Sequence, residues 1–191
     1  MKIMWLDTET TGLNKEKCDI IQLAGIIIID GEEKERFNFH IQPVNYENIE
    51  SEALMKTNIT IEKLKTFELP QEVFQKFKNM LAKYIDKYNK DDKFYLAGHN
   101  VQFDLEFLKS FFNKQEDTFF GSWFYYHTID LMAFANILHT AGLIYFPNKK
   151  LETIAQTLKI PVGGELHDAM IDIDITRRCF CRLAAKYLKF E

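Results

Sequence analysis

The sequence of 191 residues has little of what marks several classes of protein. It contains three cysteines, an odd number without metal-site spacing, which favours a reducing compartment. Only 8 glycines and 4 prolines are present, and no tract rich in them interrupts the chain, so we expect one domain over residues 1–191. The longest apolar run, residues 23–29, is far below the about 18 residues of a membrane span, and the apolar start at 1–6 is too short for a signal peptide. These absences predict a soluble, cytoplasmic protein.

Neither sign of charge dominates. The chain has 24 basic and 28 acidic residues, a net charge of −4, and 47% apolar residues, which is enough for a buried core. This mild acidity argues against a protein that coats nucleic acid by bulk attraction, although it leaves room for a local basic groove. Basic residues gather late in the chain, where a phosphate track and a solvated helix face explain them equally well: Lys149, Lys150, Arg177, Arg178, Arg182, Lys186 and Lys189.

The order of hydrophobic patterns predicts an α/β fold with a mixed sheet. Apolar runs and alternation predict strands at 2–7, 20–29, 36–42, 94–97 and 123–129. The pair Asp30-Gly31 is typical of a hairpin turn between the second and third strands. Helical spacing predicts short turns within 51–64 and helices at 71–88, 101–112, 130–140, 151–158 and 167–187.

Four acidic residues and one histidine stand out because of where the predicted elements place them. Asp7 and Glu9 fall on one face at the end of the first strand, where two carboxylates repel unless a cation lies between them. Asp104 lies within the apolar stripe of its helix, so it should be paired, protonated or bound to metal. Asp172 flanks the apolar stripe of the last helix. His167 just precedes or opens this helix, where an imidazole can accept a proton.

Each of these positions also has a simpler explanation. The acidic pair can belong to an ordinary solvated turn, and Asp104 can form a buried ion pair with a lysine or arginine. His167 can be a turn residue, and Asp168 can cap the last helix. If the acids do converge, ligands that are all oxygen favour a hard ion such as Mg²⁺ or Mn²⁺.

Together, the segments Asp7–Gly12, Gly98–Asp104 and His167–Asp172 resemble the three exonuclease motifs of the DnaQ-like DEDDh family. The segment around Asn58 resembles a further family segment, with Asn where Gly is usual, and Asn tolerates the same left-handed turn. The resemblance implies a ribonuclease-H-like fold: a five-stranded mixed sheet of order 3-2-1-4-5 with helices on both faces.

The same resemblance implies metal-dependent 3′-to-5′ release of nucleoside 5′-monophosphates from nucleic-acid 3′ ends, with single-stranded DNA favoured over RNA and a polymerase or repair protein as partner. By resemblance, Asp7, Glu9 and Asp172 hold one of two Mg²⁺ or Mn²⁺ ions, Asp7 with Asp104 holds the second, and His167 is the general base. The implied substrate-binding residues are Thr10, Thr11, Gly12, Leu13, His99, Asn100 and Phe103.

Two other functions stay open on the sequence. An RNA-trimming exoribonuclease or oligoribonuclease-like enzyme shares the same catalytic residue types, because the choice of sugar depends on contacts to the 2′-hydroxyl. A non-catalytic scaffold that binds nucleic acid or protein is the alternative of another class. Four converging acids argue against it, since a module that only binds has no need for them.

Overall fold

The structure is a computed structural model that describes residues 1–162 and 168–188. Its strands are β1 (Lys2–Thr10), β2 (Ile20–Ile29), β3 (Glu32–His40), β4 (Phe94–Gly98) and β5 (Phe124–Asp130). Its α-helices are α1 (Ser51–Thr57), α2 (Ile61–Leu64), α3 (Pro70–Tyr84), α4 (Val101–Lys114), α5 (Leu131–Thr140), α6 (Leu151–Thr157) and α7 (Ala169–Tyr187). Within these two ranges, no helix combines the length and the apolar character needed to cross a membrane.

The five strands form one mixed sheet of order β3-β2-β1-β4-β5, which confirms the order that the resemblance implied. β2 pairs antiparallel with β1 and β3, whereas β4 pairs parallel with β1 and β5. Asp30 and Gly31 make the predicted hairpin turn with φ angles of 52° and 86°. β3 begins at Glu32, earlier than predicted, because its first residues are exposed and polar and show no apolar alternation.

Helices cover both faces of the sheet. Met4 and Leu6 of β1 point to one face, where they join a phenylalanine-rich core with α3 and α4. Trp5 points to the other face and packs with Ala169 and Ile173 of α7. Because neighbouring side chains of a strand alternate between faces, β1 presents successive residues to α4 and to α7.

β1 continues beyond the end of β4. Its pairing with β4 stops at Trp5 opposite Ala97, whereas its pairing with β2 continues to Thr10 opposite Ile20. The last residues of β1 therefore have an open side, and this opening is called the crevice below. In open α/β sheets, ligands bind in such a crevice at the carboxyl ends of the strands.

Candidate active site

Three carboxylates converge in the crevice. Asp7 and Glu9 belong to the last part of β1, and Asp172 belongs to the first turn of α7. One oxygen from each of the three lies within 4.8 Å of the others, and all three side chains are half-buried. This spacing lets one cation contact all three residues, and carboxylate oxygens suit a hard divalent ion. Asp7, Glu9 and Asp172 are called the acidic cluster below.

Without a bound cation, burial and mutual repulsion disfavour the charged forms of the carboxylates in the acidic cluster. The pKa of Glu9 is raised from 4.5 to about 8, first by burial and then by the charges of Asp172 and Asp104. The pKa of Asp7 is also raised, by burial first and then by Asp104 and Glu9. Lys56 acts in the opposite direction and lowers the pKa of Glu9. A bound divalent cation would offset the repulsion between the carboxylates, so the donor set fits such an ion.

Asp104 reaches the crevice from α4. Its Oδ1 accepts hydrogen bonds from the backbone N of Thr8 at 2.9 Å and from Thr8 Oγ1 at 2.8 Å. The side chain is buried, and burial raises its pKa although the bonds from Thr8 lower it. The hydrogen-bond partner of Asp104 is thus a threonine, and not the lysine or arginine of the ion-pair alternative. The charge of Asp104 raises the pKa of Asp7 in the acidic cluster.

The start of α7 lies beside the acidic cluster. Asp168 Oδ1 accepts hydrogen bonds from the backbone N of Met170 at 3.0 Å and of Ile171 at 3.3 Å, so Asp168 caps the helix. Its charge raises the pKa of both Asp7 and Glu9. His167, which precedes it in the chain, lies outside the described residues.

The end of β1 and the turn after it hold four of the residues expected to bind substrate. Thr11 is buried: its backbone N donates to the Asp19 carbonyl at 2.9 Å, and its Oγ1 accepts from Asp19 N at 2.9 Å. The Thr11 amide thus has a hydrogen-bond partner within the chain. Thr10 Oγ1 donates to the Gly12 carbonyl at 2.7 Å and also serves the turn. Leu13, by contrast, is 73% exposed and does not belong to the core.

The other three expected substrate residues lie at the start of α4. Phe103 is half-buried, faces the same pocket as Leu13, and has its ring centroid 4.7 Å from that of Phe107. Asn100 is exposed and has a left-handed φ of 59°. His99 is half-buried, burial lowers its pKa, and within residues 1–162 and 168–188 its Nδ1 has no hydrogen-bond partner.

Sequence reasoning missed three acidic residues that shape the crevice. Glu50 donates its backbone N to the Thr11 carbonyl at 2.8 Å, and its Oε1 accepts from Leu13 N at 3.3 Å. Asp19 is buried and accepts two backbone hydrogen bonds from residues 44–45. Asp130 ends β5 and accepts hydrogen bonds from the start of α4. The position of Asp130 between a predicted strand and a predicted helix was the available signal for it.

The basic residues of α7 mostly make contacts within the chain. Arg177 Nη1 lies 2.6 Å from Glu33 Oε2. Arg178 and Arg182 donate to backbone carbonyls of residues 158–161 at 3.2 and 3.4 Å. These contacts favour a structural role for the three arginines over a track for phosphates. Lys189 lies outside the described residues.

Known proteins resemble this chain over most of its length. A protein-family model described as an exonuclease, the RNase T model, matches residues 4–180. The chain is 28% identical over 170 residues to a PolC-type DNA polymerase III of Latilactobacillus sakei, a match that covers 89% of this chain and 10% of that protein. It is 25% identical over 187 residues to ribonuclease T of Actinobacillus pleuropneumoniae, covering 93% of this chain and 81% of that protein.

Among solved structures, Escherichia coli exonuclease I in complex with a dT13 oligonucleotide has a TM-score of 0.78 at 18% identity. The match covers 96% of this chain and 40% of that one, and at this TM-score it shows that the two share a fold. The chain thus spans 10% of the polymerase and 40% of the nuclease that it resembles. Because the family match takes in most of β1, all of α4 and most of α7, this chain belongs to the RNase T exonuclease family, the DnaQ-like group that its three motifs predicted.

Proposed function

We propose that this chain is a metal-dependent exonuclease that releases nucleoside 5′-monophosphates from the 3′ ends of single-stranded DNA. The observation that carries the proposal is the acidic cluster, in which one carboxylate oxygen from each of the three residues lies within 4.8 Å of the others. Two divalent ions, when bound, would stabilise the attacking and leaving oxygens of phosphodiester hydrolysis.

The residues of the chain would hold these ions and move one proton. Asp7, Glu9 and Asp172 would hold one Mg²⁺ or Mn²⁺. Asp7, helped through water by Asp104, would hold the other, as the resemblance implies. The hydrogen bonds from Thr8 fix one oxygen of Asp104. His167 would accept the proton of the attacking water, as the resemblance implies.

The terminal nucleotide would lie between the turn after β1 and the start of α4. Leu13 is exposed and lines the same pocket as Phe103, so both side chains would be available to contact a base there. By resemblance, Gly12, His99 and Asn100 would contact the sugar and phosphate.

A second candidate is an RNA-trimming nuclease. It is favoured by the match with ribonuclease T, which covers 81% of that protein, whereas the match with the polymerase covers 10% of it. The structure of exonuclease I with dT13 and the likeness to a DNA polymerase support the DNA substrate.

The test is degradation of end-labelled single-stranded DNA, double-stranded DNA, RNA and dinucleotides with Mg²⁺ or Mn²⁺. Asp172→Asn should lower the rate at least about a hundredfold, because it removes a metal ligand. Asp174→Asn is a matched control on the same helix, since Asp174 pairs with Arg36 instead, and its rate should stay within about twofold. Faster loss of RNA than of DNA would favour the second candidate. If none of the substrates is shortened in a metal-dependent way, both the DNA and the RNA proposals are refuted.

A further inference from the structure

We propose that Asp130 is a positioning residue that fixes the start of α4 and, through it, places Asp104 beside the acidic cluster. The inference rests on the proposed function for what the cluster binds. Its structural part, the link from Asp130 to Asp104, is independent of any substrate.

The carboxylate of Asp130 accepts four backbone hydrogen bonds. Oδ1 accepts from Met132 N at 2.7 Å and from Ala133 N at 3.2 Å, which caps α5. Oδ1 also accepts from Asn100 N at 3.2 Å, and Oδ2 accepts from Val101 N at 3.0 Å. One side chain therefore satisfies the first amides of two helices.

α4 depends on this external acceptor because it has no side-chain cap of its own. Asn100 occupies the N-cap position, makes no capping hydrogen bond with its side chain and has a left-handed φ of 59°. Asp130 can reach α4 because it pairs with Gly98 at the end of the parallel strands β4 and β5. A carboxylate at this end of a helix also interacts favourably with the helix dipole.

The first turn of α4 is held from two sides. Asp130 binds its first amides from β5, and three residues further along Asp104 binds the backbone N and Oγ1 of Thr8 on β1. β1 and β4 no longer pair at this level, since their pairing ends at Trp5. The position of this turn therefore sets how far Asp104 lies from the acidic cluster.

Asp130→Ser separates this role from the capping of α5. Serine is a good N-cap, so it can still serve α5, but its shorter side chain with one oxygen cannot also bind the amides of α4. Asp130→Asn is the second variant, because it keeps the size of the side chain and loses one accepting oxygen. Asp117→Ser is the matched control: Asp117 is buried, accepts from Phe119 N at 2.8 Å and lies just beyond the other end of α4.

Three quantities are measured: Mn²⁺ affinity of the metal-free protein by calorimetry, kcat and KM on a single-stranded oligonucleotide, and hydrogen exchange of the Thr8 and Val101 amides. In both Asp130 variants we expect about tenfold weaker Mn²⁺ binding. We also expect a lower kcat with KM within about twofold, and faster exchange at both amides. Asp117→Ser should leave Mn²⁺ affinity and Thr8 exchange as in the wild type.

Faster exchange at Val101 with unchanged exchange at Thr8 would show that the hydrogen bonds from α4 to Asp130 do not affect the position of Asp104. That result would overturn the inference. Mn²⁺ affinity within twofold of the wild type in both Asp130 variants would do the same. If the wild type neither binds Mn²⁺ nor shortens any strand, the proposed function fails, and the exchange of Thr8 alone decides whether Asp130 positions Asp104.

Discussion

Replacing Glu9 with glutamine should stabilise the metal-free protein at alkaline pH. The pKa of Glu9 is raised from 4.5 to about 8, so this carboxyl binds a proton more tightly in the folded than in the unfolded chain. Its contribution to the free energy of unfolding is therefore most favourable below pH 4.5 and is lost as the pH rises through 8. Glutamine keeps the shape of the side chain and does not titrate.

The size of the effect follows from the two pKa values. A rise in pKa from 4.5 to about 8, at about 1.4 kcal/mol for each pH unit, corresponds to about 4 to 5 kcal/mol. Glu9→Gln should therefore raise the free energy of unfolding by about 3 to 5 kcal/mol at pH 9 and by less than about 1 kcal/mol at pH 5. Saturating Mn²⁺ should remove the advantage of the variant, because the ion binds the wild-type carboxylate.

Urea unfolding from pH 5 to pH 9 in the presence of a chelator measures this difference. Glu33→Gln is a control of opposite sign, because hydrogen bonds from Arg36 and Arg177 lower the pKa of Glu33 to about 2. The lowered pKa means that charged Glu33 stabilises the folded chain, fully at pH values above the unfolded pKa of 4.5 and no longer once the pH falls through about 2. Glu33→Gln should therefore lower the free energy of unfolding by the same amount at every pH from 5 to 9. A Glu9→Gln difference that is also constant over this range would refute a raised pKa for Glu9.

Three further predictions concern the crevice. Thr8→Val removes the hydroxyl that donates to Asp104 and so raises the pKa of that carboxyl further; the acidic limb of the pH–rate profile in Mn²⁺ should then move to higher pH. Leu13→Ala should leave the urea midpoint unchanged, because Leu13 is 73% exposed, and should raise KM for single-stranded DNA by about three- to tenfold. Finally, fluorescence anisotropy should show that a single-stranded oligonucleotide binds at least about tenfold more weakly in chelator than in Ca²⁺, because metal-free carboxylates repel phosphate. Equal binding in the two conditions would contradict this reasoning.

The regular elements could be predicted where side chains repeat with a clear period. β2 was predicted with its observed bounds, because its apolar run ends at a turn made by Asp30 and Gly31. The predictions are wrong mainly at the ends of elements. The helix predicted to reach residue 88 ends at Tyr84, because Ile85 is extended and enters the core. The prediction continued past Tyr84 because the apolar Ile85 fits the helical spacing. The order of the strands came from the resemblance, since periodicity says nothing about which strands are neighbours.

The acidic residues of the site could be singled out because each is chemically unexpected where the pattern places it. Asp104 interrupts an apolar stripe, and Asp7 and Glu9 repel each other on one strand face. The contacts that hold α4 beside them could not be predicted. Thr8 looks like an ordinary strand residue. Asp130 can be recognised as a cap between a strand and the helix that follows it, but its contact with α4, like that of Thr8, joins elements far apart in the chain.

The arginine contacts of α7 affect how a nucleic-acid strand would be retained. Arg177 is engaged by Glu33, and Arg178 donates to the Pro161 carbonyl. A protein that neutralises few phosphates with its own cations releases few counterions on binding, so its affinity changes little with added monovalent salt. Divalent ions held by the acidic cluster would then supply most of the attraction for the strand. We therefore expect the concentration of free Mg²⁺, rather than ionic strength, to set how long a strand end stays bound.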